Sequence, residues 1–117
     1  MNVAAIRKYC ASLPQATADI KWGADHVASI GDKMFCVSHE DGKGAADVSF
    51  KVDDDRFLEY TDREGFIPAP YMARNKWVQV NDLKKVSDAE LRALIKRSYQ
   101  LVAAKLTRKR RVELGLD

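Results

Sequence analysis

Hydrophobic positions along this chain recur with two different periods, and each period marks one type of element. Near the N-terminus, Ile6, Cys10 and Leu13 recur at helical spacing. We expect a first helix over residues 3–13, because Pro14 cannot continue it. The chain therefore begins with an amphipathic helix that has one apolar face.

Apolar and polar residues alternate in the next part of the chain, as they do in half-buried strands. The alternation predicts four strands, at residues 18–22, 26–30, 33–38 and 47–52. Gly31-Asp32 is typical of a tight hairpin, because glycine accepts the positive φ that such turns need. Gly23-Ala24-Asp25 predicts a second turn. Four strands joined by short links imply an antiparallel meander.

A short helix and a fifth strand follow the meander. The acidic triplet at residues 53–55 favours a helix N-terminus, where carboxylates complement the helix dipole, over a metal site. This helix is expected to end near Tyr60. Residues 65–70 contain two prolines and are typical of a stiff, irregular connection. Residues 76–80 then predict the fifth strand.

The last helix has the clearest pattern. Ser87 and Glu90 predict a capping box, in which each side chain bonds the other's backbone N–H. Apolar positions at helical spacing then continue to Leu106. The whole order predicts an α+β fold, in which an antiparallel sheet of about five strands carries the N- and C-terminal helices on one face. A length of 117 residues fits one domain over residues 1–117, which we expect to be monomeric.

Charge is unevenly distributed along the chain. The net charge is +3, yet residues 91–117 hold eight basic and two acidic side chains. A basic C-terminal end attracts polyanions such as nucleic acid. It is equally consistent with a solvated helix end, because cations complement the dipole there.

The sequence predicts a cytoplasmic protein. No apolar stretch approaches the ~20 residues that a membrane span needs. The first ten residues carry no apolar signal-peptide core. We therefore expect no association with membranes.

Two cysteines and two histidines are the other candidates for chemistry. Cys10 and Cys36 fall within apolar patterns, which favours two buried, reduced thiols over a disulfide or a reactive thiol. Together with His26 and His39 their spacing matches no structural zinc pattern. No nucleophile–base motif or phosphate-binding glycine loop is present either. We predict neither an enzyme nor a bound metal or cofactor.

Five blocks of sequence, in order along the chain, carry a resemblance to a known family. They are residues 21–27 (KWGADHV), 31–35 (GDKMF), 49–52 (SFKV), 68–78 (PAPYMARNKWV) and 98–106 (SYQLVAAKL). Over nearly its whole length the chain resembles the MmcQ/YjbR family. The resemblance implies a CyaY-like (frataxin-like) fold and a DNA-binding role through a "double wing" of the sheet and its loops.

DNA binding needs cations for phosphates and aromatic rings for stacking. We expect phosphate contacts from Lys33, Lys51, Arg74 and Lys76, and stacking or positioning by Trp22, Tyr71 and Trp77. Phe50 and Lys51 face opposite ways in a strand, so Lys51 projects from the open sheet face if Phe50 faces the helices. Register decides whether Lys33 or its neighbour shares that face. The alternative is that these rings only cover the sheet and the lysines are solvated.

Two other functions compete with nucleic-acid binding. Frataxins carry an acidic ridge on the first helix, whereas residues 3–13 contain no Asp or Glu, so an iron function should not transfer. The main alternative is a protein–protein interaction module that uses an edge strand or residues 68–71. Salt distinguishes the two functions, because phosphate contacts weaken steeply with ionic strength and an apolar interface does not.

Overall fold

The computed structural model describes residues 1–22 and 25–116. The helices are α1 (Val3–Ser12), α2 (Phe57–Thr61), α3 (Asp88–Ala104) and α4 (Arg108–Glu113). The strands are β1 (Thr17–Lys21), β2 (Asp25–Ile30), β3 (Lys33–Glu40), β4 (Ala46–Lys51), β5 (Phe66–Pro68) and β6 (Trp77–Val80). Three 3₁₀ turns lie at Asp54–Arg56, Ala73–Asn75 and Leu83–Lys85. Gly23 and Ala24, which begin the turn expected before β2, lie outside the described residues.

The six strands form one antiparallel sheet in the order β1-β2-β3-β4-β6-β5. The expected four-stranded meander is confirmed, and Gly31 and Asp32 form its second turn with φ values of 57° and 67°. The sheet has six strands rather than about five, because Phe66 to Pro68 pairs with β6. Three residues are too few to show alternation, and a proline is tolerated there because β5 is an edge strand.

One face of the sheet is covered by helices and carries the core. α1 packs on β2 and β3, α3 packs on β2, β3 and β4, and the two helices contact each other. Large side chains from both layers are fully buried there, among them Ile6, Phe35, Phe50, Leu91 and Ile95. The opposite face of the sheet is the open face, as expected.

A bulge in β3 is joined to α3 by one hydroxyl. Ala28 pairs with Cys36 while Ser29 pairs with Met34, so Phe35 is an extra residue on β3. Ser98 Oγ of α3 donates to the Phe35 carbonyl at 2.6 Å, and it accepts from a backbone N–H of β4 at 2.9 Å. Ser98 therefore links β3 to β4 just beyond Cys36 and Phe50, the last residue pair of their ladder at this end.

The ends of α3 differ from the sequence prediction. Ser87 caps the helix by accepting from the Glu90 N–H at 3.1 Å, as expected. The reciprocal hydrogen bond that the capping box predicts, from the Ser87 N–H to the Glu90 carboxylate, is wrong, because this carboxylate binds Arg63 instead. The helix ends at Ala104, and the basic segment forms the separate helix α4, capped by Thr107.

The acidic triplet begins a helical segment, as predicted. A 3₁₀ turn at Asp54–Arg56 leads directly into α2. Asp53 binds the Arg97 guanidinium of α3 at 2.8 Å, and this contact holds the pKa of Asp53 below its usual range. The triplet thus ties α2 to α3.

Candidate functional site

The four expected phosphate-contacting side chains lie at one end of the sheet. Strand register puts the start of β3, the end of β4 and the start of β6 at the same end. Lys33 begins β3, Lys51 ends β4, and Lys76 immediately precedes β6. Arg74 lies in the 3₁₀ turn just before Lys76. We call these four residues the basic end.

Lys51 is a half-buried member of the basic end, as is Lys76. Its Nζ donates to the Asn75 carbonyl at 2.5 Å. Burial lowers its pKa, the charges of Lys105 and Lys76 lower it further, and Asp54 opposes them. The ammonium is therefore partly desolvated, with Lys105 and Lys76 as cationic neighbours and Asp54 as an anionic one.

The neighbouring turn orients Lys76 and Arg74. Lys76 has a φ of 62°, and its Nζ lies 5.2 Å from the centroid of the Phe57 ring. This is a cation–π contact with the first residue of α2. Arg74 is exposed. The turn therefore fixes one cation on the molecule's surface and leaves the other extended into solvent.

The basic C-terminal segment folds back to this same end of the sheet. A Cβ built on Gly31 would lie 2.8 Å from Leu106 Cδ1 and 3.3 Å from Leu114, so the β2–β3 turn packs against both ends of α4. Arg110 Nη2 also lies 3.5 Å from Asp32 in that turn. The sequence alone does not show that this basic segment lies beside the other cations, because no local pattern indicates where α4 docks.

The three aromatic residues divide into two groups. Trp22 and Tyr71 are 67% and 105% exposed, and both have positive φ, 53° and 65°. Such φ values are unusual for large side chains. Trp77 is only 5% exposed. Trp22 and Tyr71 are therefore available for stacking, whereas Trp77 is a packing residue, as in the alternative interpretation of these rings.

The open face carries a groove of about 560 Å³ whose described lining residues include two aspartates and neither lysine nor arginine. We call it the open-face groove; its lining includes Trp22, Asp25, Met34, His39, Asp47 and Tyr71. His39 Nδ1 lies 2.9 Å from Asp25 Oδ1, and Asp47 pairs with His39 across the strands. Burial raises the pKa of Asp47. Carboxylates, not lysines, thus line this groove, near the end of β2, β3 and β4 that is opposite to the basic end.

Strand register shows whether Lys33 or its neighbour Met34 lies on the open face of the sheet. Met34 lines the open-face groove, whereas Lys33 pairs directly with Ile30, a fully buried core residue on the helix side. Directly paired residues share a face of the sheet. The neighbour of Lys33 is therefore on the open face, and Lys33 itself lies at the sheet's end on the helix side.

The two cysteines are buried and free, as favoured by the sequence. The Cys36 thiol hydrogen-bonds Cys10. This contact lowers the pKa of Cys10 and, with burial, raises that of Cys36.

In residues 1–22 and 25–116, no group of three or more His, Cys, Asp or Glu side chains is placed to hold a metal ion. Nor does this part of the chain contain a helix long and apolar enough to cross a membrane.

The fold and its surfaces define an α+β protein with one helix-covered and one open sheet face. A sequence model of the YjbR family matches residues 11–101. The chain belongs to the YjbR family, which confirms the resemblance read from its motifs.

Solved structures show the same fold. A crystal structure of a Deinococcus radiodurans protein with a DUF419 domain is similar, with a TM-score of 0.86 and 26% identity. The similarity covers 99% of this chain and 89% of that one. A Pseudomonas syringae protein is similar in fold at 20% identity and a TM-score of 0.74, over 87% of this chain and 99% of its own. Comparison with curated proteins gives no match.

Proposed function

We propose that this protein binds nucleic acid, without a catalytic role, through phosphate contacts at the basic end. The observation that carries this function is the convergence of Lys33, Lys51, Arg74 and Lys76 with the basic helix α4 at one end of the sheet. We also infer a CyaY-like arrangement, a double-wing role for the sheet and its loops, and a cytoplasmic location. These come from the motifs and from the sequence pattern.

Phosphate contacts belong at the basic end rather than in the open-face groove. Asp25 and Asp47 would repel a phosphate chain that crossed the open-face groove. In contrast, the charges that shift the pKa of Lys51 are two cations, Lys105 and Lys76, and one carboxylate, Asp54. Tyr71, three residues before Arg74 and fully exposed, is suited to stack on an unpaired base beside the phosphates.

Salt dependence gives the binding a measurable signature. Four phosphate contacts predict a slope of log affinity against log salt of about −3 to −4. Affinity should then fall roughly 10²-fold between 50 and 200 mM salt. Contacts to phosphates alone carry no sequence information, so the preference among DNA sequences should be small.

The test compares two charge-matched double variants. Labelled single- and double-stranded DNA is titrated at 50 and 200 mM salt, with fluorescence anisotropy as the readout. Lys51→Glu with Lys76→Glu should abolish binding, whereas Lys43→Glu with Lys84→Glu changes the charge equally at the opposite end of the sheet. Melting temperatures check that each variant is folded. Equal loss in both variants, or unchanged affinity in the first, would contradict the basic end as the site.

A protein-interaction module is the second candidate, and the edge strand β1 favours it. All five residues of β1 are exposed, and Ile20 and Trp22 are 59% and 67% exposed at this edge. Exposed apolar side chains on a free edge favour pairing with another chain. Asp19 opposes such pairing, because its carboxylate already accepts from the Ile20 N–H at 2.8 Å. Binding that barely responds to salt would support this candidate over nucleic acid.

A further inference from the structure

A second groove lies on the helix-covered side of the sheet, between α1 and the first three strands. Its volume is about 350 Å³, within the range of roughly 300–1,000 Å³ that small-molecule sites occupy. Buried Cys10, Ala28 and Cys36 contribute to its apolar lining. We call it the α1 groove, and it suits a ligand with a compact apolar body.

The charges around the α1 groove all have one sign. Arg7 and Lys8 of α1 line one side, and His26 of β2 lines the other. Among the described residues that line this groove, none is an aspartate or a glutamate. The rim therefore favours an anion over a neutral or cationic ligand.

One polar atom at this groove is without a partner. Arg7 Nε is buried and has no hydrogen-bond partner in the described part of the chain. Buried N–H groups are nearly always paired, so this unpaired one singles out Arg7, whose side chain also lines the groove. Arg7 and Cys10 lie three residues apart on the same face of α1, which places the guanidinium beside the apolar wall.

We propose that the α1 groove binds a small carboxylate with a compact apolar body. The carboxylate pairs with the Arg7 guanidinium, which lines the groove, and the apolar body lies against the wall that includes Cys10 and Cys36. Lys8 adds favourable charge without having to touch the ligand. Inorganic phosphate fits less well, because it offers the apolar wall nothing to bury. This site is separate from the basic end, and neither requires the other.

The experiment titrates the folded protein with hexanoate, hexylamine and inorganic phosphate, followed by calorimetry and backbone amide shifts. Hexanoate should bind and shift the amides of Ala18, Ala28 and Cys36, which line the groove. Hexylamine has a similar chain with the opposite charge, and phosphate has the charge without the chain, so both should bind at least tenfold more weakly. Equal affinity for hexylamine, or no hexanoate shifts at these amides, would overturn the proposal.

Variants separate the guanidinium from general charge. Arg7→Met keeps an apolar stem, and it should weaken hexanoate binding about tenfold or more, because it removes a charge-assisted hydrogen bond. Arg92→Met makes the same change on α3, outside the lining of the groove, and should leave the affinity unchanged. Arg7→Lys keeps the charge and removes Nε, so a smaller loss is expected. Wild-type affinity in folded Arg7→Met would refute the assignment.

Discussion

Ser98→Ala is the substitution that tests most directly how the helix layer is joined to the sheet. Ser98 is fully buried, and its hydroxyl bridges the Phe35 carbonyl at 2.6 Å and the Lys51 N–H at 2.9 Å. Alanine removes a single oxygen and leaves both backbone groups without their partner. The two groups belong to β3 and β4, just beyond the Cys36–Phe50 pair, so Ser98 connects both strands to α3.

The expected cost follows from those two groups. A buried polar group that loses its partner costs about 1–3 kcal/mol. The Phe35 carbonyl lies on the buried side of this bridge and the Lys51 N–H is only partly buried, so we expect about 2–4 kcal/mol in total. Alanine's higher helix propensity offsets only about 0.5 kcal/mol. For a domain of this size the melting temperature should fall by roughly 8–16 °C.

Urea unfolding followed by circular dichroism measures this loss. The midpoint should fall while the m-value stays constant, because the same surface is exposed on unfolding. Ser87→Ala is the matched control, since it removes a serine hydroxyl that caps the same helix in an exposed position. That cap is expected to contribute about 1 kcal/mol. If Ser98→Ala costs no more than Ser87→Ala, the bridge does not stabilise the fold as inferred here.

Three further substitutions test other contacts. Hydrogen bonds from Arg63 lower the pKa of Glu90, so Glu90→Gln should destabilise the protein at neutral pH. The stabilisation by the ionised Glu90 is lost as pH falls through its lowered pKa. The urea midpoints of wild type and variant should therefore converge in acid. Gly65→Ala should cost at least about 1–3 kcal/mol in urea unfolding, because φ is +90° and the new Cβ would lie 2.7 Å from Lys85 Cβ. Tyr99→Phe should cost about 1 kcal/mol in the same assay, because its hydroxyl donates to a backbone carbonyl just after α1 at 2.6 Å; an unchanged midpoint would show that bond to be dispensable.

Local pattern determined most of the secondary structure. Helical spacing predicted α1 and α3, alternation predicted the meander, and Gly31-Asp32 predicted its tight turn. These signals are strong because each depends on residues only a few positions apart. The five motif blocks likewise identified the family, which the match over residues 11–101 confirms.

The candidate site was only partly predictable. The residue types that suit phosphate binding are visible in the motif blocks, and Lys33, Lys51 and Lys76 do lie at one end of the sheet. Sequence could not show that Trp77 is buried, because an aromatic residue in a strand is equally consistent with packing and with stacking. Nor could it show two carboxylates in the open-face groove, since Asp25 and Asp47 meet only through strand register.

The sequence by itself determined which segments become helices and strands, because those preferences arise within a turn or a strand length. Tertiary structure alone decided which segments meet. β5 exists because β6 offers it an edge, Glu90 binds Arg63 rather than its own helix end, and α4 docks on the turn at Gly31. Contacts between residues distant in sequence depend on register and packing across the whole fold, which no local pattern encodes.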